Sequence, residues 1–210
     1  YGAALGSVLT TMLWKTSKTE EVIATFIATN TLNQFLNLAM VTMTSFRETY
    51  EKELADAETN EFKFIVALLG IYINIAAQRA GRDFILDREI GIDFIKSSLD
   101  YLGEIPMPSG ALLKRLILML LFNINIDKRG SLLIEPGYKG IESILGCLNM
   151  QHTSEIQTLG LNLMDALLAE MPTQEFCDKI INLVSNFHVF LNLFYFLPFF
   201  RYQKKILSLS

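Results

Sequence analysis

The chain has 210 residues, of which 51% are hydrophobic and 19% charged, and its formal net charge is −4. That composition supplies a sizeable core and excludes a disordered chain. The acidic balance argues against holding nucleic acid by bulk charge, and the length fits one large domain or one repeat array.

The opening YGAALGSVLTTMLW reads as helix, with no basic leader and no cleavage site, so no secretory signal peptide is expected. The chain reads as starting partway through a longer protein. Apolar positions recur at three and four, whereas alternating β-branched runs bounded by hairpin turns do not occur. The spacing predicts helices over 2–15, 19–28, 31–50, 60–78, 88–102, 109–126, 138–149, 154–170, 173–186 and 188–209, with short helical turns at 80–86 and 128–134. Breaks fall at EIPMPSG, with Pro106 and Pro108, and at IEPGYKG, with Pro136 and Gly137; Pro172 suits a first helical turn. Six acids lie between Glu48 and Glu61, a polar insert expected as a solvated loop or helix end.

Ile180 to Phe200 carries no fixed charge and is long enough to cross a bilayer. Asn182, Ser185, Asn186, His188, Asn192 and Pro198 interrupt it. A buried terminal helix is the expectation, and membrane attachment through this stretch the alternative. Cys147 and Cys177 have no metal spacing and read as buried reduced thiols of a nuclear or cytosolic protein.

A repeat organises the whole. LLGIYINIAAQRAGRDFIL and LMLLFNINIDKRGSLLI each hold an apolar helix, an Asn, a basic turn and a short apolar helix. Asn74 and Asn123 lie 49 apart (123 minus 74), Asp165 a further 42 along (165 minus 123), and Trp14 lies 60 before Asn74 (74 minus 14), the excess being the acidic insert. Helical units of roughly 40 to 47 residues are the range of armadillo and HEAT arrays. A short helix, a middle helix and a long third helix favour armadillo: an all-α, right-handed, armadillo-like solenoid over residues 1–210.

In such an array the third helices line a concave surface, where an amide offers donors and an acceptor to the main chain of an extended peptide. Asn74 and Asn123 are the candidate groove amides. The competing reading is an amide that caps a neighbouring turn or bonds a backbone carbonyl. Arg82 offers a fork to carboxylates or carbonyls of a guest, or else holds helix ends. Arg79, Lys114, Arg115, Lys128 and Arg129 are candidates for positive potential near the same helix ends. Trp14 is either core or a platform on the Asn74 face. His152 and His188 lack a triad or metal partner, and no phosphate loop or dinucleotide glycine pattern appears, so no catalytic residue, cofactor or metal is expected.

MLWKTSKTEEVIATFI, TMTSFRETYE, LLGIYINIAAQRAGRDFIL and LILMLLFNINIDKRG together resemble the armadillo domain of the heat shock factor 2-binding protein family, meiotic recombination factors. The resemblance runs from about Tyr1 to Leu148; from NMQHTSEIQ onward only helical repeat character is seen, and that family's amino-terminal coiled coil is absent from this chain. It implies a nuclear adaptor, also found in the cytoplasm, that binds a long disordered segment of the breast cancer type 2 susceptibility protein. Arg82, within Gly-Arg-acid-Phe, would be the key peptide-binding arginine, with Asn74 and Asn123 as groove asparagines. Self-association as a dimer is expected from the apolar first helix and from FHVFLNLFYFLPFF, and no direct nucleic-acid contact is expected. A solenoid holding an unrelated cargo, whether centrosomal, transport or RNA-silencing, is the alternative.

Overall fold

The computed structural model describes residues 2–134, 140–149 and 152–170. The terminal helices expected over 173–186 and 188–209, the apolar stretch 180–200, Cys177 and His188 lie outside the described residues. Among those described there are ten helices and no strand. They are α1 (Gly2–Thr16), α2 (Glu20–Ala28), α3 (Thr31–Thr49), α4 (Asn60–Ala77), α5 (Arg79–Leu86), α6 (Glu89–Glu104), α7 (Ala111–Asn125), α8 (Lys128–Leu133), α9 (Gly140–Gly146) and α10 (Ser154–Glu170). The short turn expected at 80–86 is a full eight-residue helix.

Helices stack by kind. The third helices form one row, α1 on α4, α4 on α7 and α7 on α10. The second helices form another, α3 on α6 and α6 on α9, and α2 packs on α5. This row-by-row stacking is the solenoid that the repeat spacing predicts.

Local chemistry explains where the helices start and turn. Thr59 caps α4 by accepting from the Phe62 amide at 3.3 Å, and Thr153 serves α10 through the Ile156 amide at 3.4 Å. Asn30, between α2 and α3, takes a left-handed φ of 58°, which asparagine tolerates better than most residues. The turn from third to first helix depends on glycine. A Cβ on Gly81 would strike the Ile75 carbonyl, and one on Gly130 the Ile124 carbonyl, 49 residues on.

The core runs along the α4 and α7 rows. Tyr72 stacks on Phe94 with centroids 4.0 Å apart, and Phe62, Ile65, Leu68, Leu69, Ile71 and Ile75 are fully buried around it. Each such side chain contributes about 1.5–3 kcal/mol relative to exposure. α4 is the one described helix long and apolar enough to cross a membrane, and most of it is covered by its neighbours in the solenoid.

Candidate peptide groove

Corresponding faces of the third helices carry one spacing, exposed or half-buried throughout on α7 and α10 but buried at Gly70 and Ile73 on α4. On α4 it runs Lys63, Val66, Gly70, Ile73, Ala77; on α7, Leu112, Arg115, Met119, Phe122, Ile126; on α10, Glu155, Thr158, Asn162, Asp165, Ala169. Steps of three and four keep each set on one helix face. Burial follows the same order on α7 and α10: two buried residues, an exposed one, a half-buried one, then a buried one, at 120–124 and at 163–167. By that register Ala166 and not Asp165 is the counterpart of Asn123 (166 minus 123 is 43), and Asp165 is the counterpart of Phe122. The amide row therefore has two members among the described residues, and the spacing of 42 is one short of the offset that the burial pattern gives.

Asn74 and Asn123 sit half-buried, one residue past their stripes, at the seams between third helices. Asn74 Nδ2 donates to the Trp14 carbonyl at 2.9 Å and to Ser17 Oγ at 3.0 Å, and Asn123 Nδ2 donates to the Ile73 carbonyl at 3.2 Å. Both amides thus stitch each third helix to the one before. The donors expected for a guest are partly used. Asn74 has both N–H groups engaged and keeps Oδ1, whereas Asn123 keeps one N–H and Oδ1.

Arg82 is 9% exposed, and its Nη1 donates to the Ala76 carbonyl at 2.7 Å and the Ala77 carbonyl at 3.2 Å. It holds the end of α4, the second of the two uses that its sequence allows. Its counterpart 49 residues on is Ser131, whose Oγ contacts the Asn125 carbonyl at 3.3 Å and Asn125 Oδ1 at 2.7 Å. Ala76 and Asn125 are equivalent in the same register, so the same orphan carbonyl at the end of a third helix is satisfied in both repeats.

The other basic candidates separate. Arg79 is exposed and lies 3.9 Å from Asp83, and Lys128 is exposed. Arg129 binds Asp127 and reaches back to Asp83 and Asp87 on α5, tying the first-helix row together. Lys114 does not add surface potential. It is 5% exposed, donates to the Leu102 carbonyl at 2.7 Å, and burial pulls its ammonium below the usual lysine range. Arg115 is neutralised by Glu155 of α10 at 2.6 Å. Trp14 is half-buried with its indole laid on Gly70, where a Cβ would leave no room. It is therefore part of the packing between α1 and α4 with one edge open. Cys147 is buried and free, and burial pushes its thiol up to about 11. No group of His, Cys, Asp or Glu among the described residues is arranged to hold a metal.

Sequence reasoning missed Phe122 and Ile126, and set Asp165 in line with Asn123 where its register is that of Phe122. Phe122 in the last turn of α7 is 39% exposed, Ile126 just past its end is 58% exposed, and Asp165, at the register position of Phe122 on α10, is exposed too. The signal was an apolar run on α7 too continuous for one buried face, which by itself cannot say which members stay outside.

Stacked three-helix units with one row of third helices presenting a continuous polar-and-apolar face define an armadillo-like protein-interaction scaffold. A family model for the ARM-like domain of heat shock factor 2-binding protein matches residues 3–129. The chain belongs to that family. It is similar to heat shock factor 2-binding protein of Mus musculus, 31% identical over 140 residues, which are 66% of this chain and 41% of the relative. The chain thus spans about two fifths of the length of the relative it matches.

Proposed function

We propose that the third-helix row captures an extended, disordered segment of a partner, and that the partner is the breast cancer type 2 susceptibility protein in meiotic recombination, in the nucleus. Family membership supports the partner. The observation that carries the site is the seam between α4 and α7, where Asn123 keeps an N–H and an acceptor next to the exposed Phe122. Asn74, Trp14 and Asn123 supply the floor of the groove and the exposed Arg79 and Lys128 its rim, while Arg82 supports it from beneath by holding the end of α4 and Arg129 by tying α8 to α5. A guest that orders on binding loses conformational entropy, so a long surface is required to hold it.

The test is calorimetry of the full chain against that mediator segment, with heat shock factor 2 as comparison bait because the relative's name states that it binds it. Binding of the mediator segment, weakened at least tenfold by Asn123→Ala with the fold intact, supports the reading. Absence of binding by a folded chain refutes the partner. Arg82→Lys, which keeps a donor for the helix end, separates loss of grip from loss of folding.

We also propose that the chain pairs with itself through α1. Leu5, Val8, Leu9 and Met12 recur at helical spacing and are all more than half exposed. Beside them is a hollow of about 280 Å³, lined by Gly6, Phe46, Tyr50 and Phe64 among others, that a partner copy's side chain can fill. An apolar stripe of this kind is costly to leave in water. Leu9→Glu combined with Met12→Glu should turn a dimer into a monomer in light scattering; a wild-type monomer at high concentration would end the idea.

A further inference from the structure

The groove has two chemically different walls. On α7 the exposed stripe is apolar at Leu112, Phe122 and Ile126, with half-buried Met119 between. On α10 every member of the corresponding stripe is exposed and none is large and apolar, and Asp165 stands at the position of Phe122. The two helices pack directly on each other, and the ion pair between Arg115 and Glu155 at 2.6 Å spans them on this same face. That pair neutralises the charges at one end of the two stripes. At the other end Asp165 makes no hydrogen bond or ion pair among the described residues, and the cation of the α7 stripe, Arg115, is held by Glu155.

We infer that the α7–α10 segment of the groove selects guest side chains: a large apolar residue over Phe122 and Ile126, and a Lys or Arg close by in the guest against Asp165. The inference rests on the groove being the peptide site and adds the chemistry of the guest. An exposed aromatic ring recovers free energy only by covering apolar area, and an unpaired carboxylate beside it favours a cation once the guest excludes water. The spacing follows from geometry. Adjacent helices lie about 10 Å apart. An extended chain advances about 3.4 Å per residue and turns successive side chains to opposite faces. The distance alone corresponds to about three residues, and because both side chains must face the groove the apolar and basic residues of the guest should be two or four positions apart.

Selection from a phage-displayed library of random twelve-residue peptides, on the full chain, tests this without assuming any partner. The expected result is enrichment of one large apolar residue and one Lys or Arg at a fixed even spacing. A parallel selection on Asp165→Lys should replace the basic position by Asp or Glu and keep the apolar one. Phe122→Ser should lose the apolar preference and keep the basic one. By fluorescence anisotropy the leading wild-type peptide should lose at least tenfold in affinity on Asp165→Lys and regain it when its cation is changed to Glu. Both positions are on the surface, so circular dichroism should show unchanged helix content. Enrichment that lacks the apolar–basic pair, or that is unmoved by Asp165→Lys, overturns the inference while leaving a peptide groove in place. No enrichment on the folded wild-type chain overturns both.

Discussion

The turn from α4 into α5 and the turn from α7 into α8 are the same structure built with different side chains. Each has a glycine pressed on a carbonyl, Gly81 on Ile75 and Gly130 on Ile124. At the first turn a buried guanidinium gathers two helix-end carbonyls; at the second the Ser131 hydroxyl is shared between the Asn125 carbonyl and Asn125 Oδ1. Gln78 starts α5 without a side-chain cap, whereas its counterpart Asp127 accepts from the Arg129 amide at 2.9 Å and starts α8. The difference teaches that the backbone geometry is the constant and the polar groups are interchangeable means of satisfying it. A charged residue at such a turn is therefore weak evidence of a ligand.

The glycines give the strictest test of that equivalence. Gly81→Ala and Gly130→Ala should each cost about 3 kcal/mol, because a Cβ meets backbone that cannot move without parting the helices. Urea unfolding of the two variants should give matching losses; a loss at one turn alone would show that the turns are not equivalent. The polar groups should differ more. Arg82→Thr removes two charge-assisted bonds to buried carbonyls and should cost about 2 kcal/mol, against about 1 kcal/mol for Ser131→Ala, where neutral partners are lost. Equal costs would mean that the guanidinium is solvated and not structural. The amides should rank likewise. Asn74→Ala, losing bonds to Trp14 and Ser17, should cost about 1.5 kcal/mol, and Asn123→Ala, losing one, about 1 kcal/mol. Thermal melts of the pair read that order.

How far the sequence revealed this depends on which physical term decides each feature. The helices were legible because apolar spacing of three and four is dictated by burial on one face, and the break at Pro106 and Pro108 between α6 and α7 followed proline chemistry. Asn74 and Asn123 were legible as a repeated pair, since a polar residue in an apolar run needs a reason. Which way each amide points was not. An amide at a seam bonds the neighbouring helix or a guest with equal chemical ease, and only the distance to the Trp14 or Ile73 carbonyl decides. Arg82 was ambiguous for the same cause. Lys114 was misjudged because its neighbours in sequence do not reveal that α6 ends against it. Phe122 was hidden, and Asp165 was set one register position off, because exposure within a stacked row is set by helices some forty residues away.

The smallest expected effect sharpens the comparison of the two turns by pH. Only the second has a carboxylate at its cap, and the Arg129 guanidinium, by hydrogen bonding, holds the Asp127 carboxyl down to about 2. An unfolded aspartate titrates near 3.9. A folded-state value below the unfolded one means that the carboxylate stabilises the fold above about pH 4, and that this contribution fades as pH falls from about 4 to about 2. The shift alone would correspond to somewhat more than 2 kcal/mol, but Arg129 is 45% exposed and water screens the pair, so about 1 kcal/mol is expected. Asp83 and Asp87 share the same arginine, so the informative quantity is a difference between proteins. Asp127→Asn keeps an oxygen to cap α8 and removes the titration. Urea unfolding at pH 5 and at pH 2.5 should show wild type losing about 1 kcal/mol more than Asp127→Asn between the two, while Gln78→Asn at the first turn leaves the wild-type pH dependence unchanged. A pH dependence that survives Asp127→Asn undiminished would show that the cap carboxylate is not its source.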